Sequence, residues 1–177
     1  MADADLARVH LSLEETLVEA LTLSRKDSRL TSVLPFLLVQ KVYSLKHQLL
    51  LALLGTDPVR AQLMAYFVSA ALEYHYREPL SALLKLLKKR VGRPKTPLYL
   101  RQADEGRSLR SFARVQNKAA KQWQVLTRDS LDDLVLSCRK WEGAPASGMS
   151  AIIRQHSSLP ASVQPQFVLQ HPLRRAV

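Results

Sequence analysis

The chain has 177 residues and a formal net charge of +11, and 47% of its residues are hydrophobic. A chain of this size and composition predicts one globular domain, and abundant leucine with scarce glycine and aromatic residues favours packed helices over a sheet. A single cysteine, Cys138, excludes an internal disulfide bond and disfavours a four-ligand zinc site.

Two helices are predicted before residue 55. Ser12 and Glu15 have the spacing of a capping box, which predicts the start of the first helix. Residues 33–54 are apolar around most of a helical circumference, so a second helix over this range is predicted to form the centre of the core. Lysine, histidine and glutamine interrupt this apolar run, which argues against a membrane span.

Proline marks the start of the next two helices. Asp57-Pro58 and Glu78-Pro79 each place a proline in the first turn, which predicts a third and a fourth helix over residues 58–77 and 79–91. Gly92 is placed to end the fourth helix.

The second half of the chain predicts two more helices and a tail. Residues 92–97 form a predicted loop, residues 98–100 are predicted to be extended, and a fifth helix is expected from about residue 105 or 108 to residue 126. A sixth helix is predicted over residues 130–141, with Asp129 as its N-cap. The predicted fold class is therefore all-α, a single compact bundle of about five to six helices within residues 1–142. Residues 143–177, with four prolines, are expected to be a flexible tail with a short helix near 150–155.

The positive charge is concentrated in one stretch of the sequence. Residues 85–128, which we call the basic segment, hold 13 basic and two acidic residues, a surplus equal to the net charge of the whole chain. The flanking parts, residues 1–84 and 129–177, are each within one charge of neutrality. Charge focused in this way predicts a surface that binds a polyanion.

The fifth predicted helix carries the sharpest pattern in the basic segment. Its cations are spaced so that a continuous helix would place them all on one face: Arg107, Arg110, Arg114, Lys118 and Lys121. The apolar residues Leu109, Phe112, Ala119, Trp123 and Leu126 would then face the core. Like charges at this spacing repel one another, so the pattern favours a binding face, with a merely solvated basic face as the alternative.

A second group of cations surrounds the end of the fourth predicted helix: Lys88, Lys89, Arg90, Arg93 and Lys95. Gly92-Arg93-Pro94 with these flanking cations resembles an AT-hook, with Val91 where that motif has a second arginine. The resemblance implies contact with the minor groove of A·T-rich DNA. The same residues fit a helix end followed by a turn, where cations interact favourably with the helix dipole. The group also resembles a basic nuclear-import signal.

The sequence contains no motif typical of catalysis or metal binding. It has no Gly-rich phosphate loop, no Gly-x-Ser-x-Gly elbow and no His-Glu-x-x-His pattern. His75 stands among carboxylates and phenols, but we expect it to face solvent near a helix end. Cys138 is expected to be a buried core thiol. We therefore predict no enzymatic activity and no cofactor.

These patterns predict a non-enzymatic nucleic-acid-binding protein that contacts the phosphate backbone through a basic helix and loop. RNA or a ribonucleoprotein assembly is favoured over DNA, because no groove-reading motif is present. Two alternatives stay open: a subunit of a larger complex that docks an acidic protein surface, and a self-assembling helical coat-type protein that packages nucleic acid. The acidic N-terminal residues do not resemble a secretory signal, so a nuclear or cytoplasmic location is expected.

Overall fold

The computed structural model describes residues 11–94, 96–113 and 117–142, and these residues form a helical bundle. In chain order the elements are α1 (Leu13–Ser24), α2 (Ser28–Lys41), α3 (His47–Leu53), α4 (Pro58–Tyr74), α5 (Glu78–Val91), β1 (Leu98–Tyr99), α6 (Arg110–Ala113), α7 (Lys118–Trp123), β2 (Val125–Leu126) and α8 (Leu131–Glu142). Short 3-10 turns lie at Val42–Ser44 and Gln102–Asp104. The predicted all-α class is confirmed. The predicted tail over residues 143–177, its helix near 150–155, Lys95 and Arg114 lie outside the described residues.

The centre of the core is α4, because every residue from Ala61 to Ala71 is buried. A helix that is buried on all sides must be covered by several neighbours. The helices that pack against it include α2, α5, α7 and α8. The prediction that a helix over residues 33–54 forms the centre is therefore wrong.

Residues 33–54 do not form one helix, because the chain breaks between α2 and α3. The first of these two helices begins at Ser28, after Asp27 caps it by accepting a hydrogen bond from the amide of Arg29. At the break, the buried carboxylate of Glu14 accepts a hydrogen bond of 2.6 Å from the amide of Lys46. This bond satisfies an amide at the N-terminus of α3 that a continuous helix would have bonded internally. A side chain 32 residues earlier in the chain therefore supports the break.

The capping signals read from the sequence are confirmed at α1 and α4. The hydroxyl of Ser12 accepts a hydrogen bond from the amide of Glu15, whose carboxylate accepts one from the amide of Ser12. Asp57 accepts hydrogen bonds from the first amides of α4. At α8 the predicted N-cap is wrong. Ser130, rather than Asp129, caps this helix, in a reciprocal pair with Asp133 that holds the pKa of Asp133 below its ordinary value.

The predicted fifth helix is also wrong, since the described residues between 105 and 126 form the two short helices α6 and α7 and the strand β2. Gly106 has a φ of 83°, and a new helix begins after Asn117, whose side chain accepts a hydrogen bond from the amide of Ala120. Gln124 then adopts the left-handed conformation and ends α7. Leu109, predicted to face the core, is 57% exposed, while Phe112, Ala119, Trp123 and Leu126 are buried as predicted.

The two short strands β1 and β2 connect the segment before α6 to the segment after α7. They pair in parallel, with Leu98 opposite Val125 and Tyr99 opposite Leu126. The amides of Leu98 and Leu100 donate hydrogen bonds of 2.9 Å to the carbonyls of Gln124 and Leu126. Residues 98–100 are therefore extended as predicted, and they add a two-stranded sheet that their length alone did not predict.

Across the part of the chain that the structure describes, no helix is both long enough and apolar enough to cross a membrane.

Candidate nucleic-acid interface

Two polar residues on the buried helix α4 hold the end of α7. The indole N–H of Trp123 donates a hydrogen bond of 2.7 Å to the hydroxyl oxygen of Ser69. The side-chain amide of Gln62 donates one of 2.6 Å to the carbonyl of Trp123. Gln62 and Ser69 are seven residues apart and therefore lie on the same face of α4. These two bonds help to hold α7, and the lysines that it carries, against α4.

The same glutamine also contacts the loop that follows α5. The amide nitrogen of Gln62 lies 3.5 Å from the carbonyl oxygen of Thr96. The helices α4 and α5 are joined by the short turn of residues 75–77 and pack closely, so the last turns of α5 lie level with the first turns of α4. The end of α5, the loop after it and the end of α7 therefore meet at the N-terminal half of α4.

The acidic residues of this region are bound to arginines. Buried Asp104 accepts from Arg107 at 3.1 Å and from Arg128 at 2.8 Å. Asp129, just beyond the basic segment, pairs with Arg101 at 2.8 Å. Glu105 pairs with Arg25, the residue that caps the C-terminal end of α1. These carboxylates are therefore paired with four arginines. Such partly buried ion pairs connect distant parts of the chain, so the charges of these arginines are already compensated within the fold.

Arg90 is used in a similar way. Its guanidinium donates hydrogen bonds to the carbonyls of Leu51 and Gly55 at the C-terminal end of α3. The last carbonyls of a helix have no partner within the helix, and a guanidinium is a strong donor for them. Arg90 thus joins α5 to α3.

Seven other cations of the basic segment are exposed and form no ion pair or side-chain hydrogen bond with the described residues: Lys85, Lys88, Lys89, Arg93, Arg110, Lys118 and Lys121. We call them the unpaired cations. They lie on the last turns of α5, the loop after it, α6 and α7. Because no carboxylate in the described part of the chain pairs with them, their positive charge is available to an anionic partner.

The residues predicted for the interface fall into unpaired and paired groups in the structure. Lys88, Lys89, Arg93, Arg110, Lys118 and Lys121 are exposed and unpaired, whereas Arg90 and Arg107 are exposed but bound to other parts of the chain. Lys95 and Arg114 lie outside the described residues. The idea of one five-membered stripe on a continuous helix is wrong, because Arg107 precedes α6 and a new helix begins at Lys118.

Sequence reasoning missed the residues that position these cations. Gln62 and Ser69 are polar interruptions in the apolar run of α4, and that interruption was the available signal. A buried polar side chain needs a hydrogen-bond partner, so each of them pointed to a contact with another element. Lys85 was counted in the basic segment but not among the interface residues, although it is exposed beside Lys88 and Lys89.

The structure also describes the cysteine and the histidine that the sequence singled out. Cys138 is buried, and burial, with a smaller effect of the Glu142 charge, raises the pKa of its thiol to about 11. His75 is exposed at the end of α4, as predicted. The phenol of Tyr74 donates a hydrogen bond to Glu142, which ties α4 to α8, and its pKa is raised to about 12 by burial and by this bond. The described residues contain no cluster of His, Cys, Asp and Glu that could hold a metal ion.

The described residues form a helical bundle around α4, and the unpaired cations lie on α5, on the loop after it, on α6 and on α7. Comparison of the chain with protein families, with curated proteins and with solved structures finds no match.

Proposed function

We propose that this chain is a non-enzymatic nucleic-acid-binding protein that contacts the phosphate backbone through the unpaired cations. The observation that carries this proposal is the difference between the paired and the unpaired charges of the basic segment. Its acidic residues are bound internally by arginines, while seven other cations remain exposed and without partners among the described residues. A surface of this kind gains affinity by displacing counterions from phosphates.

The dimensions of the elements favour contact with the backbone over reading of bases. The cations outside α5 lie on α6 and α7, which have four and six residues, and on a loop. A helix of one or two turns is too short to lie along a major groove as a recognition helix does. RNA remains the favoured partner, since binding of RNA helices depends mostly on shape and on backbone contacts.

The test is a titration of a fluorescent RNA duplex and a DNA duplex by anisotropy at several salt concentrations. We expect the affinity to fall steeply between about 50 and 200 mM salt. Replacement of Lys88, Lys89, Lys118 and Lys121 by Gln should reduce the slope of log affinity against log salt by roughly 3 to 4. These four side chains are exposed and unpaired, so the variant should keep its helix content.

A matched control removes the same charge elsewhere. Replacement of Lys41, Lys46, Arg139 and Lys140 by Gln changes four cations on α2, at the start of α3 and on α8, outside the basic segment. We expect this control to leave the salt slope close to that of the wild type. Equal loss of slope in both variants would mean that net charge alone causes binding, and no binding at the lowest salt would refute the proposal.

A second candidate function is docking to an acidic protein. It is favoured by Tyr43 and Leu49, which are 77% and 38% exposed in the stretch between α2 and the end of α3. Aromatic side chains are enriched in protein interfaces relative to the rest of the surface. Measurement of the molecular mass in solution would show self-association, the coat-type alternative, as a mass that rises with concentration.

A further inference from the structure

The three aromatic side chains of the basic segment are occupied within the fold. Trp123 is 1% exposed, and its indole N–H is bound to Ser69. Phe112 is buried completely. Tyr99 is half-buried, its ring contacts that of Phe112 edge-on at 5.6 Å, and its hydroxyl donates to the carbonyl of Arg107 at 3.0 Å. Two of these rings are buried, and the third is only partly exposed and is held by contacts within the fold, so this segment offers little aromatic surface on which bases could stack.

This arrangement matters because proteins that bind single strands combine cations with several stacking rings. Successive unpaired bases stack on aromatic side chains, and that stacking supplies much of the affinity for a flexible strand. A surface with cations and without such rings gains its affinity from phosphates alone. Phosphates are most closely spaced on a duplex, which carries one charge per about 1.7 Å of its axis.

Four of the unpaired cations lie on helices that pack against the core helix α4. Lys88 and Lys89 lie on the fourteen-residue helix α5, and Lys118 and Lys121 lie on α7, which Gln62 and Ser69 fix against α4. A rigid array of charges suits a ligand whose phosphates are already fixed in space. A duplex meets this condition, because it behaves as a stiff rod over about 150 base pairs, whereas a single strand must first be ordered.

From these observations we infer that the unpaired cations bind double-stranded nucleic acid and discriminate against single strands. This inference rests on the proposed function and deepens it by naming the class of nucleic acid. The chemistry that is recognised is a pair of phosphate backbones at fixed spacing, which duplex RNA and duplex DNA share.

The experiment compares three fluorescent probes of equal length and related sequence: an RNA duplex, a DNA duplex and a single-stranded RNA without internal pairing. We expect the full chain to bind at least one duplex roughly tenfold or more tightly than the single strand, with a steeper dependence on salt. A duplex of unrelated sequence should bind equally well. If the single strand binds as tightly as both duplexes, this inference is overturned while the proposed function stands. If none of the three probes binds at low salt, the proposed function itself fails.

One exposed ring outside the basic segment provides a sharper check. Tyr43 lies on the 3-10 turn that packs against α5, and it is 77% exposed. A single ring can hold one base, which is less than a dedicated single-strand surface uses. Tyr43→Ala should leave the affinity for duplex and single strand unchanged. Selective loss of single-strand affinity in this variant, or in Tyr99→Leu with helix content intact, would show that a ring does stack and would overturn the inference.

Discussion

Trp123 and Ser69, which are 54 residues apart, are joined by a hydrogen bond of 2.7 Å between the indole N–H and the hydroxyl oxygen. Both side chains are buried, so neither group has water as an alternative partner. Ser69→Ala should therefore lower the free energy of unfolding by about 1 to 3 kcal/mol, because it leaves the indole N–H without a partner. Urea denaturation followed by circular dichroism measures this loss.

A double-mutant cycle separates the bond from the loss of packing. In a Trp123→Phe background the indole N–H is absent, so the further change Ser69→Ala should cost much less than it does in the wild type. The two changes are expected to couple by about 1 kcal/mol. An equal cost of Ser69→Ala in both backgrounds would show that the bond contributes nothing.

The arginine Arg107 and the lysine Lys118 are expected to behave differently although both are exposed. Arg107 is held by Asp104 at 3.1 Å, while Lys118 has no such partner among the described residues. Lys118→Gln should therefore reduce the salt slope of duplex binding by about 0.9, the value for one lost phosphate contact. Arg107→Gln should change this slope much less. A reversed order of the two slopes would contradict the assignment of paired and unpaired cations.

The ion pair between Asp104 and Arg107 should also stabilise the fold. Asp104 is buried and accepts from both Arg107 and Arg128. Asp104→Asn should destabilise the fold by about 1 to 2 kcal/mol, a modest loss because both arginines are partly exposed. Thermal denaturation of this variant beside Asp132→Asn, which alters an exposed acid on α8, provides the comparison.

The parts of the fold that the sequence predicted well depend on local signals. The capping box at Ser12 and the Asp57-Pro58 start act within one helical turn, and both helices begin there. The break after α2 could not be read from residues 33–54, because the partner of the Lys46 amide is Glu14 on another helix. A long apolar run predicts burial, and it does not show where a distant side chain supports a break.

Of the ten side chains predicted for the candidate interface, six are exposed and unpaired, two are bound within the fold and two lie outside the described residues. The concentration of cations in residues 85–128 is a property of composition, so it was visible in the sequence. Which cations remain available depends on contacts between distant residues, such as those of Asp104 with Arg128 and of Arg90 with Gly55. The periodicity of residues 107–121 favoured a helix, but the cap at Asn117 divides that range.

Cys138 should make the stability of the protein depend on alkaline pH. Burial raises the pKa of its thiol from an ordinary value of 9.0 to about 11 in the folded state. Between these values the folded chain keeps a proton that the unfolded chain has lost, so stability should fall as the pH rises through this window. The contribution of the thiol to stability is fully present below pH 9. As the pH rises to about 11 this contribution is lost, which lowers the free energy of unfolding by about 1 to 2 kcal/mol.

The variant Cys138→Ala isolates this contribution from those of the tyrosines and lysines that titrate nearby in pH. The difference in unfolding free energy between wild type and variant should shrink or reverse between pH 9 and about pH 11. The native thiol should also react slowly with alkylating reagents and quickly in denaturant, since it is buried. A difference that stays constant with pH would show that the thiol titrates normally.

Gly92, between α5 and the loop that carries Arg93, adopts a φ of 63° and a ψ of −142°. An added Cβ would meet no atom within 4 Å, so a substitution here acts through the backbone conformation alone. This conformation lies outside the left-handed helical region and is open essentially to glycine, so Gly92→Ala should destabilise the fold by about 1 to 3 kcal/mol. Asparagine tolerates the left-handed helical region but not this one, so Gly92→Asn should cost about as much as Gly92→Ala. Urea denaturation of both variants decides the point, because a nearly neutral asparagine beside a costly alanine would mean that the residue occupies the ordinary left-handed conformation of a helix end.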